Sequence, residues 1–151
     1  MRRFTLVVLV AFLCMFAACS FTTNFVIVNE SDSPVIVRYE IKEFHGEFYL
    51  PDKPVVVAAS ELGEDQPEWK PIEFEVDEAT RSVTTQLMPG EALRIARLNS
   101  YMGHDNPNSA HHFQIRTITI SGARGQLNLT DEQARTTFTE VSLSLYTLTY
   151  K

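Results

Sequence analysis

The chain has 151 residues, 44% hydrophobic and 21% charged, which is the composition of one ordinary globular domain and excludes a disordered or fibrous segment. Thirteen Lys and Arg against 19 Asp and Glu give a formal charge of −6, which excludes a nucleic-acid binder working through a basic surface. The two cysteines, Cys14 and Cys19, both lie near the N-terminus, so no disulfide framework staples the rest of the chain.

In chain order the first element is a targeting segment. Met1-Arg2-Arg3 is a short positive region, and Phe4 to Phe16 is an apolar run. Its length fits the roughly 7–15 residues of a signal-peptide core and falls short of the roughly 18 of a spanning helix. Small residues follow in Phe16-Ala17-Ala18-Cys19. This resembles the lipobox of bacterial lipoproteins, in which a bulky apolar residue and two small ones precede an acylated cysteine. The resemblance covers this N-terminal segment alone, and Phe16 stands where Leu is usual. It implies a signal peptide over 1–18, cleavage between Ala18 and Cys19, and a diacylglyceryl thioether and N-acyl chain on Cys19. Ser20, in place of an Asp, is compatible with the outer membrane of the bacterial envelope.

The same residues admit two other readings, plain secretion with cleavage after Ser20 and an uncleaved short anchor. Arg2-Arg3 lacks the flanking pattern of a twin-arginine signal. Loss of Arg2 and Arg3 lowers the charge of −6 by two more. An acidic domain is repelled by anionic headgroups, so lipid is expected to hold it there, at about 0.8 kcal/mol per buried CH₂.

Residues 19–24 are expected to be the anchor and a short linker, and 25–151 the domain. Phe25 to Val28 reads as a strand, and the turn formers Asn29 to Pro34 lead to a second. There Val35, Val37, Tyr39 and Ile41 alternate with Ile36, Arg38, Glu40 and Lys42, the period of a half-buried strand. From Glu43 to Pro71 the pattern lapses, with four of the seven prolines, a short strand at Val55 to Ala58, and an acidic loop at Glu61 to Gln66. Ile72, Phe74 and Val76 alternate with acids, Asp77 to Arg81 turns the chain, and Val83, Thr85 and Leu87 return. Pro89-Gly90 breaks that strand before Ala92 to Leu98.

Tyr101 to His112 is a second irregular stretch. Beyond it Phe113 and Ile115 point one way and Ile118 and Ile120 the other, which requires a β-bulge or a strand covered on both faces. Gly122 to Gly125 predicts a tight hairpin to Leu127 and Leu129, and Asp131 to Arg135 a helical turn capped by Thr130 or Asp131. Val141 to Tyr150 reads as one closing strand. About eight short antiparallel strands and almost no helix predict an all-β domain, a single β-sandwich with immunoglobulin-like or jelly-roll-like connections.

His104, Asp105, His111 and His112 form the one cluster with metal-ligand or acid/base chemistry, imidazole and carboxylate being suitable zinc ligands. Their spacing matches no ligand set, and adjacent side chains on an extended segment point apart, so no metal is assigned. Glu73 and Glu75 share a strand face and read as its solvent side. No nucleophile elbow, phosphate loop, dinucleotide fingerprint, EF-hand or HExxH motif is present. Trp69, between Pro67 and Pro71, either stacks on a sugar ring, anchors a protein partner, or folds down to cap one end of the sandwich. The closing strand, with Tyr146, Leu148 and Tyr150, offers strand addition if it lies at a sheet edge.

The sequence therefore points to an envelope lipoprotein held to the membrane by its N-terminal lipid, with a non-catalytic binding or structural role toward an envelope protein partner. It needs no cofactor and binds no nucleic acid. Trp69, Tyr101, His104, Asp105, His111 and His112 are the candidate binding-loop residues. The alternative is a small-ligand or carbohydrate binder using the same loops, and a metal-dependent hydrolase on the histidines is the weakest, because nucleophile, base and orienting group cannot all be named.

Overall fold

The computed structural model describes residues 20–42, 53–101, 113–142 and 144–151. Its strands are β1 (Ser20–Asn29), β2 (Val35–Ile41), β3 (Val55–Ala58), β4 (Lys70–Pro71), β5 (Phe74–Asp77), β6 (Ser82–Leu87), β7 (Glu91–Tyr101), β8 (Ile115–Gly122), β9 (Gly125–Thr130), β10 (Thr139–Ser142) and β11 (Leu145–Tyr150). A 3-10 turn at Ala59–Glu61 and the short helix α1 (Asp131–Thr136) are the helical pieces among the described residues. Six strands form one sheet in the order β10-β11-β1-β7-β3-β4, and five form a second in the order β5-β6-β2-β8-β9. The all-β expectation holds, with two open sheets.

Alternation explains most of the burial. On β2, Val35, Val37, Tyr39 and Ile41 are buried while Ile36 and Arg38 face solvent. Phe25 and Ile27 of β1, Leu93 of β7 and Tyr146 and Leu148 of β11 enter the same buried cluster as Val37, Tyr39, Ile118 and Ile120 of the second sheet. Phe25 is its aromatic hub, with ring centroids 4.9 Å from Phe113, 5.4 Å from Phe138 and 5.2 Å from Tyr146. The unbroken apolar run Phe25 to Val28 has a different cause. Val26 and Val28 sit in a second cluster with Val57, Ala92 and Leu145. Since successive side chains leave a strand on opposite faces, β1 is covered on both.

Three expectations need correction, and the place of the closing strand, edge or inner, is now given. The segment read as a linker, 20–24, is strand: β1 begins at Ser20, opposite Tyr101 of β7. The closing strand is two, β10 and β11, antiparallel to each other with a register shift between Glu140 and Ser142. β11 is therefore an inner strand, and Tyr146, Leu148 and Tyr150 are buried rather than offered at an edge. The pairing is not wholly antiparallel either, because β11 runs parallel to β1 from Asn24↔Leu145 to Asn29↔Tyr150.

The period slip in β8 is a bulge. Glu40 pairs with Thr117 but Ile41 with Ile115, so Arg116 is the extra residue, and all four apolar residues flanking the slip are buried. Helix α1 starts at Thr130 as expected, without a side-chain cap bond to the backbone. The hairpin between β8 and β9 closes on Gly122↔Gly125. Here a Cβ on Gly122 would lie 2.8 Å from Val35 Cγ1 and 2.9 Å from the Tyr150 hydroxyl. That hydroxyl donates to the Gly125 carbonyl at 2.9 Å. Gly122→Ala is expected to cost about 1–3 kcal/mol in urea unfolding, because neither the β-branched Val35 nor the bonded phenol can move freely. An unchanged midpoint would show that the hairpin yields instead.

Candidate functional site

Trp69 and the acidic loop ahead of it define the site. After β3 the chain makes the 3-10 turn and runs through Leu62 to Pro67 over the face of the six-stranded sheet opposite the main cluster. There Leu62 and Trp69 pack on Val26, Val28, Val57, Ala92 and Leu145. The indole is half-buried, and the Arg94 guanidinium carbon lies 4.8 Å from its ring centroid. At that separation a cation and the indole face attract, by about 0.5–2 kcal/mol depending on exposure. Trp69 thus neither caps an end of the two sheets nor stands free; it seals an apolar patch that the sheet would otherwise expose.

The loop does not cover the whole face. Between it and the turn joining β10 to β11 runs a groove of about 540 Å³. Trp69, Leu145 and Asn24 line it, with Glu64, Asp65 and Gln66 on the loop side and Val141, Ser142 and Ser144 on the turn side. The loop acids are exposed, and Val141 is 61% exposed. Asn24 ties the turn to β1: its backbone N–H and its Nδ2 donate to the Ser144 carbonyl at 2.8 and 3.3 Å. Its Oδ1 is out of reach of solvent and accepts no hydrogen bond among the described residues. Beneath the turn, burial and then a hydrogen bond to Glu140 of β10 raise the Tyr146 phenol above its ordinary pKa.

The groove therefore offers the aromatic face of Trp69, the apolar side chains of Leu62, Pro67, Val141 and Leu145, serine hydroxyls, the Gln66 amide and carboxylates. A more open depression of about 700 Å³ runs along β5 and β6 past Ile36, Phe74, Glu73 and Glu75. Both glutamates there are exposed, as the solvent side of that strand.

Of the residues singled out from the sequence, Trp69 is in the groove. Tyr101 ends β7 at the other end of its strand from Glu91. His104, Asp105, His111, His112, Ala18 and Cys19 lie outside the described residues. Among the described residues no three His, Cys, Asp or Glu cluster as a metal site would require. Sequence reasoning missed Asn24, Val141, Ser142, Ser144 and Leu145. They meet Trp69 only because β11 lies parallel to β1, a contact between segments with no local signal of each other.

Comparison with protein-family models, with curated proteins and with solved structures returns no match to this chain.

Proposed function

We propose that the chain is an exported lipoprotein, cut between Ala18 and Cys19, lipidated on Cys19 and held at the outer membrane, whose β-sandwich domain binds an envelope protein and carries out no catalysis. The lipobox resemblance supports the address. The single buried cluster shared by the two sheets supports the sandwich reading, since two sheets with a common core pack face to face. The observation that carries the binding role is the Trp69 groove. It combines a rigid aromatic anchor, the side chain most often dominant at interfaces, with a polar rim.

A photo-crosslinking residue at Val141, exposed on the groove, is expected to capture one specific protein in intact membranes. Recovery of the uncrosslinked monomer alone would overturn the reading. Trp69→Ala is expected to abolish capture and also to lower stability by about 2–4 kcal/mol, because it uncovers the second cluster. Ser144→Arg separates the two effects: it should fill the groove and abolish capture while leaving the unfolding midpoint within about 0.5 kcal/mol. A glycan or other small ligand is the second reading, favoured by the ring face of Trp69 beside hydroxyl and amide groups. It predicts a thermal shift with a glycan and no protein adduct.

A further inference from the structure

We infer that the Trp69 groove takes a basic side chain of its protein partner, an arginine or lysine whose stem lies along the apolar wall and whose charged head meets Glu64 and Asp65. This rests on the protein-binding reading above and gives the chemistry of that partner.

The charges of the acidic loop have no part in folding it. The loop is held by its backbone: Leu62 N–H donates to the Ala59 carbonyl at 3.4 Å, Glu64 N–H to that of Glu61 at 3.0 Å, and Trp69 N–H to that of Pro67 at 3.1 Å. Leu62 and Trp69 seat it on the sheet. Among the described residues the side chains of Glu64, Asp65 and Glu68 make no ion pair or hydrogen bond. Other surface acids find a cation, Asp32 at 3.6 Å from Arg124 and Glu30 at 3.4 Å from Lys151. Solvent exposure alone accounts for an ordinary charged loop. What sets Glu64 and Asp65 apart is that they line a groove together with Trp69.

The charge around the groove stays acidic when its neighbours are counted. Among the described residues no Lys, Arg or His lines it. On the same face of the sheet stand Arg94, over the indole, and Arg97, opposite Asn24. Lys70 follows Trp69 but pairs with Val56 of the main cluster, so it faces the other way. Glu61, Glu64, Asp65 and Glu68 therefore stand against those two arginines. The segments outside the described residues carry Glu43, Glu47, Asp52 and Asp105 against Arg2 and Arg3, which adds more acid than base.

Hydrogen-bonding capacity has the same sense. Asn24 N–H and Nδ2 both donate to the Ser144 carbonyl, and Ser144 N–H donates to Ser142 Oγ at 3.4 Å. Pro67 has no N–H to offer. With these donors engaged, the groove meets an occupant chiefly with acceptors, the carboxylate oxygens of Glu64 and Asp65 first among them. An acidic or phosphorylated segment is repelled, and a purely apolar one leaves the carboxylates without a counter-charge. Lysine and arginine suit both halves of the site, because the methylene stem covers apolar surface while the head stays at the wet rim. Arginine suits it better, since its planar head also packs on aromatic surface.

Trp69 is the one tryptophan of the chain, so its emission reports this groove. The full chain is titrated with three capped pentapeptides, identical except for a central Arg, Gln or Glu between leucines. A saturable change is expected with the Arg peptide at a concentration about fivefold or more below that of the Gln peptide, and none with the Glu peptide. Glu64→Gln combined with Asp65→Asn should remove that preference, each exposed charge pair contributing about two- to fivefold, and leave the unfolding midpoint unchanged. Salt at about 1 M should remove it as well. Photo-crosslinking from Val141 in intact membranes is the second readout, and the double variant should lower its yield by a similar factor. Equal responses to the three peptides overturn the inference, as does capture indifferent to the double substitution; the protein-binding reading survives either. Arg-selective emission with no protein captured overturns the envelope-partner reading and keeps the cation site. No response in both experiments overturns the two together.

Discussion

Phe25→Ala is expected to remove about 3–5 kcal/mol of stability, enough to leave much of a marginal domain unfolded at physiological temperature. The side chain is fully buried, and its ring meets three others, edge-on to Phe113 and Phe138 and stacked on Tyr146. Those partners come from the approach to β8, the approach to β10, and β11. Truncation therefore opens a cavity between these elements, and the loss includes both transfer and cavity terms. Phe138→Ala, at a position 5% exposed with ring contacts among the described residues to Phe25 and Phe113, should cost about 1–2 kcal/mol less. Urea denaturation of both variants gives the order; equal losses would show that the ring cluster collapses as readily at its centre as at its rim.

The second large effect belongs to a polar residue. Asn29, fully buried at the end of β1, uses every part of its amide. Nδ2 donates to the Ser33 carbonyl at 3.0 Å and the Leu87 carbonyl at 3.1 Å. Oδ1 accepts from the Ser31 N–H at 3.0 Å and the Ser31 hydroxyl at 2.6 Å. One side chain thus ties β1, the turn into β2, and the end of β6. Asn29→Ala leaves buried donors and acceptors unpaired, and a loss of about 2–4 kcal/mol follows. Asn29→Asp keeps the shape but sets a carboxylate against the two carbonyls that Nδ2 served. Its loss should match or exceed that of alanine at neutral pH and shrink in mild acid, where the protonated carboxyl again donates. Unfolding midpoints at two pH values check this; an aspartate variant insensitive to pH would place water, not the carbonyls, beside the new oxygen.

How much of this was legible beforehand depended on the range of the interaction. The alternation of Val35, Val37, Tyr39 and Ile41, the break at Pro89-Gly90 and the hairpin at Gly122 to Gly125 are local, and the strands they predict are there. The slip around Arg116 was visible as a change of period, though only the register with Glu40 and Ile41 shows it to be a bulge. The parallel partner of β1 was not legible, because nothing in Phe25 to Val28 names Tyr146 to Thr149 as its neighbour. The rest of the site followed that failure. Trp69 stood out by residue type, but the groove around it is made by segments brought together only through that pairing.

The parallel pairing also has a bearing on how the chain assembles. The Asn24–Ser144 contact spans 120 residues, so β1 waits through the synthesis of all the strands between before its second edge is filled. Until then a strand apolar on both faces stands with unpaired backbone groups along one side, the state most exposed to aggregation. Topology of this kind folds slowly, in milliseconds to seconds. A sheet that cannot close early depends on whatever covers that open edge until β11 arrives.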